Sequence, residues 1–395
     1  MPRIVSFAVH AIELPFRVKF EHAAASRRSS ESLFVELRLD DGTTGWGESL
    51  PRVYVTGESR DDACELLAGS ILPPLLGRAF ESFEEVVAFF TACDGRAPAE
   101  WVPRDQPQSA AWCAVDLALL DAFGKHFGRT PFGQTSMPSD LRYSGVLSSG
   151  DGWKQRLQPL VYRLLGFHAL KVKTGPETTV HDIDRIQRLA GAGIELRVDA
   201  NMSWTFDQAL RRMPEFARAG IESFEQPLAA DDLDGAARLI RETGLEVMAD
   251  ESLHTGESLQ RLIDAKACTA INARISKCGG LIATLTRCRE ARNADLWVQL
   301  GCQVGESSLL SAAQLHLCSA FPKARHLEGC FGSFLLAEDP ARPELRFGRG
   351  GHPPQLPHVF GLGVEIDPDC LARHRVKHWA GSVLPAGDEP QRGER

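Results

Sequence analysis

The chain has 395 residues, 43% hydrophobic and 24% charged, with a formal net charge of −8. This is the balance of a globular protein with room for a large core, and the acidic excess argues against nucleic acid or anionic membranes as main partners, leaving small molecules. No apolar run reaches the roughly 20 residues of a membrane span. The first residues lack a signal-peptide pattern, and the ten cysteines show no metal-ligand spacing, so reduced thiols in the cytoplasm are expected.

Residues 1–132 read as an N-terminal α+β capping domain. The segment "SLFVELRLDDGTTGWGES" predicts two antiparallel strands joined by an Asp-Asp-Gly turn. The segment "SAAWCAVDLALLDAFGKHFG" predicts an amphipathic helix that ends in glycine. Two loops, "FRVKFEHAAASRRSS" and "PRVYVTGES", bring Phe16, Phe20 and Tyr54. They either cover a neighbouring site or serve as ordinary surface loops.

From 133 to 335 the pattern changes to short apolar runs, each followed by a helix-like stretch. The runs "HALKVK", "IELRVDAN", "IESFEQP", "EVMADES" and "TAINARISK" carry Lys173, Asp199, Glu225, Asp250 and Lys277 at or near their ends, at intervals of 26, 26, 25 and 27 residues. That interval holds one strand, one helix and two loops. Alternating strand and helix implies a parallel sheet. Adding "YSGVLSS" before, and "DLWVQLG" and "ARHLEG" after, makes eight strands, the number of a (β/α)8-type barrel, whose active sites form at the C-terminal ends of the strands. Residues 336–380 are expected to pack back on the capping domain. The polar, Pro/Gly-rich residues 381–395 are expected to lack structure.

Asp199, Glu225 and Asp250, on three consecutive strands, would repel one another at a common barrel mouth, and a divalent cation removes the conflict. Oxygen ligands without His or Cys favour a hard ion, Mg²⁺ before Ca²⁺, with Mn²⁺ as a substitute. Each acid alone could equally cap a helix. Lys171 and Lys173 are two residues apart on one strand, so they face the same way. Desolvation, a like charge and a cation all depress a lysine pKa. Lys171 would then lower the proton affinity of Lys173 and meet a substrate carboxylate, leaving Lys173 as a base, with Lys277 on the opposite face. This set suits proton abstraction next to a carboxylate, where charge develops on the enolate oxygens.

The motifs "KVK", "VDAN", "EQP", "ADES" and "SKCGG" at these intervals, with the "GTTGWGES" hairpin, resemble the muconate-lactonizing-enzyme subgroup of the enolase superfamily over nearly the whole chain. The resemblance implies Asp199, Glu225 and Asp250 as Mg²⁺ ligands, Lys173 and Lys277 as the acid/base pair, and Lys171 beside the substrate carboxylate. Asn201 and Glu251 would support the ligands. It implies an isomerase for a small carboxylate, working as a homo-oligomer: a racemase or epimerase of an amino-acid derivative first, a cycloisomerase or a dehydratase next. A catalytically silent barrel that binds a carboxylated ligand is the rival of another class. A lysine at 277 differs from the His–Asp pair of the mandelate-racemase branch. Dipeptide epimerases of the subgroup carry an Asp-x-Asp on the eighth strand for the substrate ammonium, whereas here "HLEGCFGSF" offers only Glu328. Gln303 and Glu306, after the seventh strand, are candidates for substrate binding or for structural hydrogen bonding. The expected substrate therefore has a neutral or apolar far end, facing Phe16, Phe20 and Tyr54. A one-residue shift of the eighth strand would turn Glu328 inward and supply the missing charge.

Overall fold

The computed structural model describes residues 1–22, 25–133, 137–147, 153–175, 177–355 and 359–383, without the side chains of 18–22, 25–27, 153 and 154. The hairpin read from the sequence is β2 (Ala25–Leu39) and β3 (Thr44–Ser49), paired antiparallel, and β1 (Ile4–His22) pairs with the other edge of β2.

The eight expected runs form one sheet in sequence order: β4 (Gly145–Leu147), β5 (Ala169–Lys173), β6 (Glu195–Asp199), β7 (Ile221–Glu225), β8 (Glu246–Ala249), β9 (Ala270–Arg274), β10 (Trp297–Gly301) and β11 (His326–Leu327). Every pairing is parallel. The sheet curls until its edges meet. A parallel bridge joins Tyr143 to Leu327, and the Ser144 N–H donates to the Leu327 carbonyl at 2.8 Å. The helices between strands start where the sequence supplies caps: Thr179, Thr205, Asp232 and Thr255 each accept a backbone N–H three residues on. This is the expected barrel with its α+β cap.

The chain then forms the short pair β12 (Ala341–Arg342) and β13 (Glu365–Ile366), and returns as β14 (Arg375–Ser382) along the free edge of β1. Residues 381 and 382, expected to lack structure, belong to β14, because β1 offers an unpaired edge that satisfies their backbone groups. Residues 384–395 lie outside the described residues.

One expectation is corrected. The helix Ser109–Phe127 is not amphipathic but buried on all sides as far as Gly124. It lies between the cap sheet and the barrel. Gly45 and Gly47 of β3 allow this approach, since a Cβ at Gly47 would stand 1.9 Å from the Ala114 carbonyl oxygen and one at Gly45 2.3 Å from the Ala122 nitrogen. A single hydrophobic core consequently runs from the cap into the β9–β11 side of the barrel, while a second core lies between β4–β8 and their helices. Among the described residues no helix is long and apolar enough to cross a membrane.

Candidate active site

Register fixes the site. Lys173 is the pairing partner of Asp199, and Asp199 that of Glu225, so the three side chains leave adjacent strands at one level. Asp250 follows β8 directly, and Lys277 stands in the turn after β9. Asp199, Glu225, Asp250 and Lys277 are each no more than 2% exposed.

Each acid is held by cations. Lys173 Nζ donates to Asp199 Oδ2 at 3.0 Å and to Asn201 Oδ1 at 3.1 Å. Lys171 Nζ lies 3.5 Å from Asp199 Oδ2 and 3.2 Å from Glu225 Oε2, bridging two acids. Arg274 bridges the next two, contacting Asp250 directly and Glu225 Oε1 at 3.5 Å. Lys277 Nζ donates to Asp250 Oδ1 at 2.7 Å, to the Asp250 carbonyl at 2.5 Å and to the Asn272 carbonyl at 3.0 Å. Burial alone would raise the Glu225 carboxyl, yet Lys171, Arg274 and Lys173 outweigh it and hold the pKa at about 2. For Lys277, burial first and Arg274 second push the ammonium down to about 7. Burial and the charge of Asp199 push Glu251 up to about 7. Glu251 Oε1 accepts from Asn201 Nδ2 at 3.2 Å, which ties the two together as one support.

The expected role of Lys171 needs adjustment. It is not a free cation beside Lys173. Burial would lower its pKa, but Glu225, Glu328 and Asp199 raise it above the ordinary lysine value. Glu328 does face inward, with Oε2 2.5 Å from Lys171 Nζ and Oε1 3.2 Å from the Arg197 guanidinium. Its charge is already matched. Gln303 is buried, its backbone N–H donates to Glu306 Oε1 at 2.6 Å, and its side-chain Nε2 is buried without a hydrogen-bond partner. Phe16 lies 3.2 Å from where a Cβ on Gly305 would be, so it rests against the loop after β10. Tyr54 is 36% exposed on the one-turn helix Val53–Thr56. The Phe20 side chain lies outside the described residues.

Four interior residues were not singled out in the sequence: Arg197, Asn272, Arg274 and Gln299. Asn272 Nδ2 donates to Glu225 Oε1 at 2.8 Å, and Gln299 Nε2 donates to Glu225 Oε2 at 3.3 Å. Strand parity is the signal that finds them. Arg197 is two residues before Asp199, Asn272 two before Arg274, and Gln299 is the pairing partner of Asn272.

The donor set fits a hard divalent cation: three buried carboxylates from adjacent strands, with side-chain cations between them where positive charge is required. The strand-end acids are spread around those side chains. Among the described residues, the three possible ligand groups that do lie within 4.8 Å of one another are Glu338, Cys370 and His374, on the C-terminal segment. Glu338 is there engaged by Arg373 and by His374 at 2.9 Å. The barrel acids differ from that cluster in being almost fully buried and in lying in register on adjacent strands.

Comparison with known proteins places the chain in a family. Residues 158–370, more than half the chain, match the family described as enolase C-terminal domain-like. The N-succinyl-L-Arg/Lys racemase of Bacillus cereus is 27% identical over 93% of this chain and 97% of its own, and its crystal structure superposes with a TM-score of 0.85 at 25% identity over 96% and 100% of the two chains. The L-Lys-D/L-Arg epimerase of Methylococcus capsulatus is 30% identical over 86% of this chain and 93% of its own. The dipeptide epimerase of Cytophaga hutchinsonii, solved with Mg and the dipeptide D-Ala-L-Val, has a TM-score of 0.80 at 22% identity over 96% and 99% of the chains, a likeness of fold. The motifs, the barrel with its cap and these relatives together make the chain an isomerase of the enolase superfamily, in its muconate-lactonizing subgroup.

Proposed function

We propose that the protein racemises or epimerises an amino-acid derivative, taking a proton from the carbon beside a carboxylate on one face and returning one on the other. The carrying observation is a pair of lysines, Lys173 at the end of β5 and Lys277 after β9, on opposite flanks of the Asp199–Glu225–Asp250 row. One lysine acts as the base while the other acts as the acid. Mg²⁺ is the proposed ion on the three carboxylates, replaceable by Mn²⁺, and when bound it supplies Lewis acidity toward the substrate carboxylate. Lys171 and Arg274 contact the same acids that would hold the ion, and Lys171 would be the group that meets the substrate carboxylate. Asn201 and Glu251 keep the Lys173 side of the row in position.

For the substrate we propose a far end without positive charge, an N-acylated amino acid being the best fit. Burying an ammonium without an anionic partner costs several kcal/mol. In support, Glu328 is committed to Lys171 and Arg197, and the next three residues are Gly329, Cys330 and Phe331. The buried Gln303 amide suits an acyl oxygen. A cytoplasmic setting is supported by ten cysteines that are all unpaired.

The test is incubation in D₂O with both enantiomers of several N-acylated amino acids and with unblocked dipeptides, following the α-deuterium by NMR. Exchange and inversion of the N-acylated compounds are expected. A preference of about a hundredfold for unblocked dipeptides, about 2.7 kcal/mol, that disappears in Glu328→Gln would overturn the substrate class. Absence of exchange with every acid would overturn the reaction.

A further inference from the structure

Residues 50–56 of the cap run across the ends of three barrel strands. The Leu50 N–H donates to Ser276 Oγ, in the turn after β9, at 3.0 Å. The Arg52 guanidinium reaches the Val304 carbonyl, beyond β10, at 3.4 Å, and holds the Glu31 and Pro51 carbonyls at 2.7 and 2.8 Å. The Val55 carbonyl accepts from His254 Nε2, beyond β8, at 2.5 Å. Since β8, β9 and β10 are neighbours in the sheet, a segment tied to all three crosses the middle one, and the turn after β9 carries Lys277. The next residues are anchored to the cap itself: Glu58 accepts from the Ala110 and Ala111 N–H groups at 2.8 and 2.9 Å. The two lysines differ accordingly. The Lys277 side chain is 0% exposed, that of Lys173 11%.

His254 is suited to latch this strap. Its partner is a carbonyl, so Nε2 carries the proton. Burial, together with the nearby charge of Lys277, lowers its pKa to about 4, which keeps the ring neutral at physiological pH and avoids a second cation beside Lys277.

We propose that His254 is a positioning residue that, by holding the Val55 carbonyl, keeps the 50–56 strap closed over Lys277 and shields that lysine from water. The inference rests on the reading of Lys277 as an acid/base group. Its consequence is asymmetric. A proton taken by Lys277 returns to the substrate before it is lost to solvent, whereas a proton taken by Lys173 exchanges more readily.

The test uses the full chain with Mg²⁺ and each enantiomer of an N-acetylated amino acid that the wild type inverts. The quantity measured is solvent deuterium in recovered substrate relative to net inversion, and Lys277→Ala identifies the enantiomer that Lys277 deprotonates. In His254→Ala this ratio should rise about fivefold for that enantiomer, the effect of one lost hydrogen bond on opening, and stay constant for the other. His254→Gln, whose amide N–H can still reach Val55, should restore it. Hydrogen exchange of a peptide covering residues 50–57 should accelerate in His254→Ala and in Ser276→Ala, which removes the neighbouring tie and serves if the first variant does not fold. An equal change for both enantiomers, or unaltered exchange of the 50–57 peptide, overturns the inference alone. A wild type that exchanges neither enantiomer overturns the acid/base reading and this inference with it.

Discussion

The barrel mouth and the seam between cap and barrel both bury carboxylates, by opposite means. In the mouth, Asp199, Glu225 and Asp250 face Lys171, Lys173, Arg274 and Lys277. In the seam, Glu48 of β3 accepts from the Ser307 and Leu310 N–H groups at 3.0 and 3.3 Å and from the Ser307 hydroxyl. Asp116 of the buried helix accepts from the Leu281 N–H at 2.6 Å. These donors are the N-termini of the barrel helices Ser308–Ala320 and Leu281–Asn293, where the helix dipole favours an anion. Side-chain cations can swing aside for an ion or a substrate. Backbone N–H groups cannot. The partners of the mouth acids are therefore movable, and those of the seam acids are fixed by the backbone.

The contrast is tested most severely at the metal. Chelation should lower activity by roughly 10⁴-fold or more, Mg²⁺ or Mn²⁺ should restore it, and Asp250→Asn should weaken Mg²⁺ binding in calorimetry. A fully active metal-free protein would sink the idea that the mouth trades its lysines for an ion. Next come the two faces. Lys173→Ala and Lys277→Ala should each reduce net inversion by about 10³-fold, while each variant still exchanges the α-proton of one enantiomer, and not the same one. Should both exchange the same enantiomer in NMR assays, one lysine is not a base.

The seam should respond in stability instead. Gly47→Ala drives a Cβ into the Ala114 carbonyl, a backbone atom that cannot yield, and should cost about 3 kcal/mol in urea unfolding with Mg²⁺ affinity unchanged. The smallest effect is one of sign with pH. Burial raises Asp116 from 3.8 to about 8, against the Leu281 and Ile282 N–H groups that favour the anion. A carboxyl raised on folding stabilises fully below its unfolded value and loses that contribution as pH climbs through the folded one. Glu225, held at about 2, does the reverse: its contribution is present above about 4.5 and is lost as pH falls toward 2. Urea midpoints of Asp116→Asn should accordingly show a shallower decline between pH 4 and 8 than wild type, with the acid limb unchanged. Identical slopes would mean that the helix N-terminus keeps Asp116 ionised throughout.

What the sequence reveals differs between the same two regions. Five strand-end residues were legible because the repeat of strand and helix puts one chemical group at each barrel position, and spacing alone carries that signal. Arg274, Arg197, Asn272 and Gln299 were within reach of the same parity argument, but an interior layer of a barrel is usually apolar, so polar residues there read as outward-facing. The seam was hidden. The helix Ser109–Phe127 reads as amphipathic because its last turns carry Lys125 and His126, and its burial depends on a sheet and a barrel far away in sequence. Likewise β14 owes its strand conformation to β1, 360 or more residues earlier, and its own segment is too polar to announce it. The two lysines of "KVK" were correctly set on one face, yet Lys171 is governed by Glu328 and Glu225, which local sequence does not bring near.

The barrel closes where β4 meets β11, and the side chains there belong to the same network that lines the mouth. Arg197, on β6, donates to Ser144 Oγ, just before β4, at 2.8 Å and to Glu328 Oε1, just after β11, at 3.2 Å, joining the first barrel strand to the last. Position 328 thus has two partners on different strands, Lys171 and Arg197. A replacement there that re-aims the mouth toward another substrate would also loosen the stitch that shuts the barrel.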